Sequence, residues 1–394
     1  MGEKLKVAWV YLRFVGPYLG RLLFLSFSAF HQRWTYKLTP DAKNVVVIGG
    51  SFAGIELVKG LAATLPTGFK LIWIEKNSHL NFSFTFPAVL RGPGLRAHRL
   101  HPDTVVDYEY LVIATGSSQP LPVQVASTEL RAACKELQSV QEAINASQKI
   151  AIVGAGADFN PEKDVTLIHS RGQILNTFGK RLHDHTLPII QDELKVRVLL
   201  NERPQLPKDR ALLKNKTLTF SDGHEESFDL VIACTGQRPN SSFLASLLPD
   251  AISKETSRIL SPLSPNPRIF AFGDVAEHGG PKMARAGLVQ SITVLDNILA
   301  LIHRRSPSAP YTYAPQLVIE GPIKLTLGGS RLVIYAQHDP EGTEDMLMSV
   351  KNNKVDLDIA RAWRMFGVDF KRAKGQAGRK ELHLQAEPHS MAVN

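Results

Sequence analysis

The chain has 394 residues, 44% apolar and 21% charged, which suits two or three globular domains and excludes a disordered or fibrous chain. Its formal charge of +9 sits at the two ends: residues 1–40 hold six Lys/Arg against one acid, residues 351–394 hold nine against five, and the stretch between is neutral. A neutral body with no zinc-type spacing and no aromatic-basic motif argues against nucleic acid as a partner, and the two distant cysteines, Cys134 and Cys234, exclude a disulfide framework and a Cys-x-x-Cys dithiol.

Residues 5–30, LKVAWVYLRFVGPYLGRLLFLSFSAF, are dense in apolar and aromatic side chains, broken by Arg13, Gly16-Pro17 and Arg21. The longest uncharged run falls short of the roughly 18 residues that suggest a spanning helix. No acid stands between Glu3 and Asp41, and Lys6 and Arg13 share one helical face. Residues 1–40 therefore read as an amphipathic anchor at a membrane surface or a mitochondrial presequence, with a surface-packed helix as the plainer alternative. The expected location is a mitochondrion or a cytoplasmic membrane surface, with the cytoplasm as alternative.

The next stretch, KNVVVIGGSFAGIELVKGLAATLPTGFKLIWIEKN, predicts strand, glycine turn, helix and strand. Val45–Ile48 form the first strand, and Gly49-Gly50-Ser51-Phe52-Ala53-Gly54 the turn. In the G-x-G-x-x-G pattern Gly49 makes the tight bend, Ser51 stands where backbone approaches a pyrophosphate, and Gly54 lets helix and strand pack closely. Ile55, Leu57, Val58, Leu61 and Leu65 give the helix a packed side. Leu71–Ile74 form the second strand, and Glu75 follows it where an acid binds a ribose hydroxyl.

Two strands then end alike: YEYLVIATGSSQP at Ala114-Thr115-Gly116, and FDLVIACTGQRPN at Cys234-Thr235-Gly236. Between them, KIAIVGAGADFNPEKDVTLIHS opens a second glycine turn at Gly154-Ala155-Gly156. There the pattern's third glycine is replaced by Phe159, and only nine residues separate Gly154 from Asp164, with Pro161 among them. This second unit reads as truncated, its helix cut out. His183 and His185, in KRLHDHTLP, read as a helix surface with a basic flank, and no metal site is expected. Farther on, NPRIFAFGDVAEHGGPKMARAGLVQS places Gly273-Asp274 at the end of strand Ile269–Phe272, ahead of a helix over Met283–Asn297. Small residues at strand ends admit a cofactor's backbone approach, and Asp274 can accept from a ribityl hydroxyl.

Together these stretches, with SHLNFSFTFPAVLRG and IKLTLGGSRLVIY, resemble the FAD-dependent pyridine nucleotide-disulfide oxidoreductases, in particular the apoptosis-inducing-factor-like and AMID-like branch that includes ferroptosis suppressor protein. The resemblance runs from Lys43 to Phe370. It implies an α/β fold of two Rossmann-like FAD/NAD(P)-binding domains plus a small C-terminal α+β portion. On that basis 41–122 and 240–310 form a discontinuous FAD domain, 123–239 an inserted NAD(P)H-type domain, 311–370 the C-terminal portion with strands and a helix DLDIARAWRMF, and 371–394 a basic, disordered tail. The implied activity moves electrons from NADH or NADPH through FAD to a quinone-like acceptor. The implied FAD contacts are Gly49, Gly50, Ser51, Phe52, Ala53, Gly54, Glu75, Ala114, Thr115, Gly116 and Asp274, with Lys282 near the flavin ring and Gly154 and Gly156 on the nicotinamide side. Lys282 as an ordinary surface lysine is the plainer reading. The branch's usual helix after the second glycine turn is missing here, and with it a glutamate facing the nicotinamide. Arg171 at the next strand end would suit a 2′-phosphate. A flavin-binding protein that takes no hydride, with a binding or regulatory role, and a truncated product without function are the alternatives. The helix after the first glycine turn has no cysteine pair, which disfavours a disulfide reductase.

Overall fold

The computed structural model describes residues 20, 23–32, 34–78, 104–154, 163–207, 212–246, 248–256, 258–260, 266–303, 311–328, 331–337 and 345–351. A helix over 23–32 (α1) leads into β1 (Lys43–Ile48), α2 (Phe52–Thr64) and β2 (Phe69–Ile74). β3 (Tyr110–Ile113), β4 (Ser117–Ser118) and α3 (Leu130–Ala146) follow. Then come β5 (Lys149–Val153), β6 (Asp164–His169), α4 (Lys180–Pro188), β7 (Arg197–Leu200), β8 (Leu213–Thr219), β9 (Glu225–Ala233) and β10 (Arg238–Pro239). The chain continues through β11 (Ile259–Leu260), β12 (Ile269–Ala271), β13 (Ala276–Glu277), α5 (Ala284–Ile302) and the strands β14 (Ile323–Leu327), β15 (Arg331–Gln337) and β16 (Asp345–Lys351).

The first sheet has the order β12-β3-β1-β2 and is parallel throughout. A parallel sheet covered by helices needs strands that are apolar on both faces, which VVVI and YLVI supply. Val45, Val47, Leu57 and Leu61 pack with Val294, Leu295 and Ile298 of α5. The two helices lie close because glycines face them: a Cβ on Gly287 would come within 2.8 Å of the Ala53 Cβ, and one on Gly60 within 2.6 Å of Leu295. By length and composition α5 could span a membrane, yet nine of its residues are buried, Val294, Leu295 and Ile298 of them in this core.

The second sheet, β7-β6-β5-β9-β8, is parallel except for the β8–β9 hairpin pair. Ile150, Ile152, Leu167 and Leu230 face α4 and the Val333 and Tyr335 side chains of β15, while Ala151, Ile168 and Val231 face Phe220 and Phe228. The antiparallel meander β14-β15-β16 thus packs on the second sheet. The chain leaves the first sheet through β4 and returns through β10, and these two strands pair, Ser118 with Arg238 and Ser117 with Pro239. Twenty residues, Gly49 to Gly68, join β1 to β2 and hold the 13-residue α2. Only ten, Gly154 to Lys163, join β5 to β6, which still pair in parallel register from Lys149↔Asp164 to Val153↔Ile168. Gly156, the SHLNFSFTFPAVLRG segment beyond Ser78, the DLDIARAWRMF helix and the tail 371–394 lie outside the described residues.

The sequence reading missed some boundaries and one burial. β1 and β2 each start two residues earlier than expected, and α5 runs on to Ile302. His183 is buried, not on the surface: its Nδ1 accepts the Ile174 N–H at 3.1 Å, because the loop before α4 folds back over that helix face.

Candidate functional site

Three turns meet at the carboxyl edge of the first sheet. The first is the glycine turn. Gly49 has φ +107°, in the region that favours glycine, and a Cβ there would overlap the Ala114 carbonyl. Its N–H donates to Ile74 O at 2.9 Å, which fixes the turn over the end of β2. A Cβ on Gly54 would overlap Gly49 O, so the third glycine lets the helix start directly on the turn. Ser51 is the N-cap of α2 but its hydroxyl does not cap the helix, so the positive end of the helix is left for an anion.

Glu75 closes back over this turn. One carboxylate oxygen accepts the Gly50 N–H, and the other accepts the Asn77 backbone and side-chain N–H groups, both at 2.8 Å. The Trp73 ring lies against Gly50, where a Cβ would come within 2.5 Å of it, and the Trp73 indole N–H donates to Gly49 O at 3.3 Å. The acid expected at the strand end is therefore at the turn, with a tryptophan beside it that the sequence reading did not single out.

The second turn is Thr115-Gly116, with Gly116 at φ +65°. Asn240, on the returning connection, grips it: its N–H donates to Gly116 O at 3.0 Å, its Nδ2 to Thr115 O at 2.8 Å, and its own carbonyl accepts the Thr115 hydroxyl at 2.9 Å. Its Oδ1 accepts the Ser118 hydroxyl at 2.6 Å. Nothing in the strand pattern of TGQRPN pointed to this role, though a polar side chain just after a Thr-Gly strand end was the available signal.

The third turn is Gly273-Asp274, with Gly273 at φ +77° beside Ala53, the position a Cβ would reach at 3.5 Å. Asp274 Oδ2 accepts Gln237 Nε2 at 2.6 Å and the Ser117 hydroxyl at 3.0 Å, and its carbonyl accepts Arg258 Nε at 3.1 Å. Gln290 Oε1 accepts the Gly273 N–H at 2.7 Å, and its amide lies 3.2 Å from the His278 ring. Burial, with the Lys282 charge next in weight, pushes the His278 pKa down to about 4, so the imidazole is neutral at physiological pH. Lys282 donates to Ala276 O at 2.8 Å and lies 4.0 Å from Glu277. Burial and then Arg258 lower its pKa, opposed by Glu277 and Asp274. It is a half-buried cation fixed beside the third turn. A hydrogen bond from the Thr256 side chain lowers the Glu277 carboxyl pKa, against the opposing effect of burial.

The structure thus brings Gly49, Gly50, Ser51, Phe52, Ala53, Gly54, Glu75, Ala114, Thr115, Gly116 and Asp274 to one edge, with Lys282 a turn away. The residues present fit a dinucleotide: the glycine turn leaves no Cβ over its bend, and the helix end is uncapped by its serine.

Gly154 repeats the first turn in the second sheet. It has φ +123°, donates to Ile168 O at 2.9 Å, and a Cβ on it would come within 2.7 Å of Cys234 O. Ser170 and Arg171 are exposed at the end of β6. Cys134 and Cys234 are both free thiols, and burial pushes the Cys234 thiol up to about 11, far from a reactive thiolate.

Comparison with known proteins agrees with this geometry. Residues 94–291, half of the chain, match the family described as Pyridine nucleotide-disulphide oxidoreductase. Fe-regulated protein 8 of Mycosarcoma maydis is 29% identical over 392 residues, covering 83% of this chain and 95% of that protein. Ferroptosis suppressor protein 1 of Mus musculus is 28% identical over 317 residues, covering 67% and 82%. Among solved structures, the sulfide:quinone oxidoreductase of Aquifex aeolicus has a similar fold, with TM-score 0.58 at 17% identity over 82% of this chain and 90% of that one.

Proposed function

The chain belongs to the pyridine nucleotide-disulphide oxidoreductase family, and we propose that it passes electrons from NADH or NADPH through FAD to a quinone-like acceptor. The observation that carries this reading is the meeting of the glycine turn, the Thr115-Gly116 turn and the Gly273-Asp274 turn at one sheet edge. The quinone-like acceptor follows the resemblance of the sequence motifs to the AMID-like branch, and the fold neighbour whose title names a sulfide:quinone oxidoreductase is in keeping with it. The absence of a reactive thiol on α2 removes the dithiol route suggested by the second half of the family's description.

FAD, when bound, would supply the two-electron acceptor for a nicotinamide hydride. This chain's residues supply binding and field. Gly49 to Gly54 and the start of α2 would hold the pyrophosphate, Glu75 the adenosine ribose, and Asp274 a ribityl hydroxyl. Lys282, fixed by Ala276 O, would stabilise negative charge on the reduced ring from within a partly dehydrated site. Gly154, repeating the first turn, supports nicotinamide binding at the second sheet, and the exposed Arg171 supports preference for NADPH's extra phosphate. The apolar exposed face of α1 supports a membrane surface as the working location.

A second reading, flavin bound but no hydride taken, is favoured by the ten-residue link between β5 and β6, too short for a helix like α2. Steady-state assay separates them. The first reading expects purified protein to carry FAD and to oxidise NADPH or NADH when a water-soluble quinone is added. Bound FAD with no nucleotide oxidation in the presence of quinone, ferricyanide or oxygen would support the second.

A further inference from the structure

The helix α1 is arranged inside out for a protein surrounded by water. Leu23, Phe27, Phe30 and Trp34 are 72, 70, 61 and 78% exposed. Spacings of four, three and four put them along one side of the helix and its continuation. The side turned inward carries Leu25, Ser28, Ala29 and Gln32, all half-buried. Only Leu25 among these is large and apolar, and it packs on the core between the first sheet and α5. Large apolar side chains thus face out and small or polar ones face in.

This face is held in place. Tyr36 donates its hydroxyl to Phe69 O at 3.0 Å, and the Lys37 N–H donates to Thr67 Oγ1 at 3.1 Å. Both contacts are at the amino end of β2, the edge opposite the glycine turn. Exposed Val105 and Tyr108 precede β3 at that same edge of the parallel sheet. Docking through α1 therefore does not require the cofactor edge to enter lipid.

Charge selects the occupant. From Arg21 to Lys37 the segment holds three Lys/Arg and no acid, and the nearest acids are Glu3 and Asp41. A second copy would bring a segment of the same net sign against this one. An anionic lipid surface would neutralise them while accepting the rings at its headgroup level. We propose that the Leu23–Phe27–Phe30–Trp34 face of α1 docks on an anionic lipid bilayer, lying in its surface. This rests on the membrane-surface reading of the proposed function and specifies its contact and lipid charge.

The test is flotation of the full chain with vesicles of phosphatidylcholine alone and of phosphatidylcholine containing phosphatidylserine. The variant Phe27→Ser/Phe30→Ser/Trp34→Ser removes rings from exposed positions, so its flavin content and melting temperature should match wild type. Wild type should float with the anionic vesicles and lose that binding in high salt, and the triple variant should partition about tenfold more weakly or worse. Equal flotation of variant and wild type would overturn the docking face while leaving membrane association standing. Wild type that floats equally with both vesicle types would overturn the lipid-charge assignment. No flotation of wild type would overturn both the face and the membrane reading. Ring-dependent dimers in sedimentation, with no flotation, would assign the face to a second copy instead.

Discussion

Gln237 donates its side-chain amide to Asp274 Oδ2 across 2.6 Å, and the same nitrogen lies 2.7 Å from the Ser117 hydroxyl. Gln237 stands just beyond β9 of the second sheet and Asp274 just beyond β12 of the first. Under the proposed function Asp274, the proposed ribityl contact, is thus oriented partly from the second sheet, the proposed nicotinamide side, and one carboxylate joins the two proposed half-sites.

Replacing Gln237 with Leu should weaken FAD binding. A hydrogen bond to a charged group contributes about 1.5–3 kcal/mol, or on the order of tenfold to a hundredfold in affinity. Fluorescence titration of apo-protein with FAD reads this directly. Gln237→Glu should bind FAD no better than the Leu variant, because it sets a second carboxylate against Asp274. FAD affinity equal to wild type in both variants would remove Gln237 from the site.

The two glycine turns should separate under the same substitution. Gly49→Ala and Gly154→Ala each force a Cβ into a carbonyl at positive φ, a cost of about 2–4 kcal/mol where the backbone resists. Both should lower the melting temperature. Only Gly49→Ala should empty the flavin, and Gly154→Ala should keep FAD while raising KM for the nicotinamide nucleotide. Flavin loss in Gly154→Ala with the fold intact would contradict this division.

Thiol chemistry should be dispensable. Cys134 is exposed, whereas burial holds the Cys234 thiol at about 11. A thiol reagent should modify one group in the native protein and two after denaturation. The double variant Cys134→Ser/Cys234→Ser should keep its acceptor reductase rate within about twofold, since no thiolate lies in the path. Loss of turnover with flavin still bound would place a sulfur in electron transfer.

His278 gives the stability a pH signature. Its pKa falls from an ordinary 6.5 to about 4 in the folded protein, so below 6.5 the unfolded chain takes up a proton that the folded chain refuses. Stability from this group is full above pH 6.5 and is lost between 6.5 and 4. Lys282, Arg258 and Glu277 face the same ring and set its field. The difference in melting temperature between wild type and His278→Asn should therefore narrow as pH falls through that window. A constant difference across it would mean that the imidazole is not held neutral.

The first sheet and its turns were legible because their signals are local: an apolar strand, a glycine bend and an acid within one βαβ unit. Gly49, Gly54 and Asp274 could be placed from such short stretches. Asn240 and Gln237 could not, since their partners lie more than thirty and up to 125 residues away, and a strand pattern carries no record of such pairings. His183 failed for a related reason. Its helix, KRLHDHTLP, is mostly polar, but the loop that buries His183 comes from outside the helix. The outward aromatic side of α1 was present as composition, and only the backbone shows which side is held inward.

The most direct test of the account is anaerobic titration of the flavin-loaded protein with NADPH and, separately, NADH. Bleaching of the flavin's visible absorption by one equivalent of either nucleotide, followed by recovery on adding a quinone, is the expected result. A bound FAD that neither nucleotide bleaches, yet dithionite does, would contradict it.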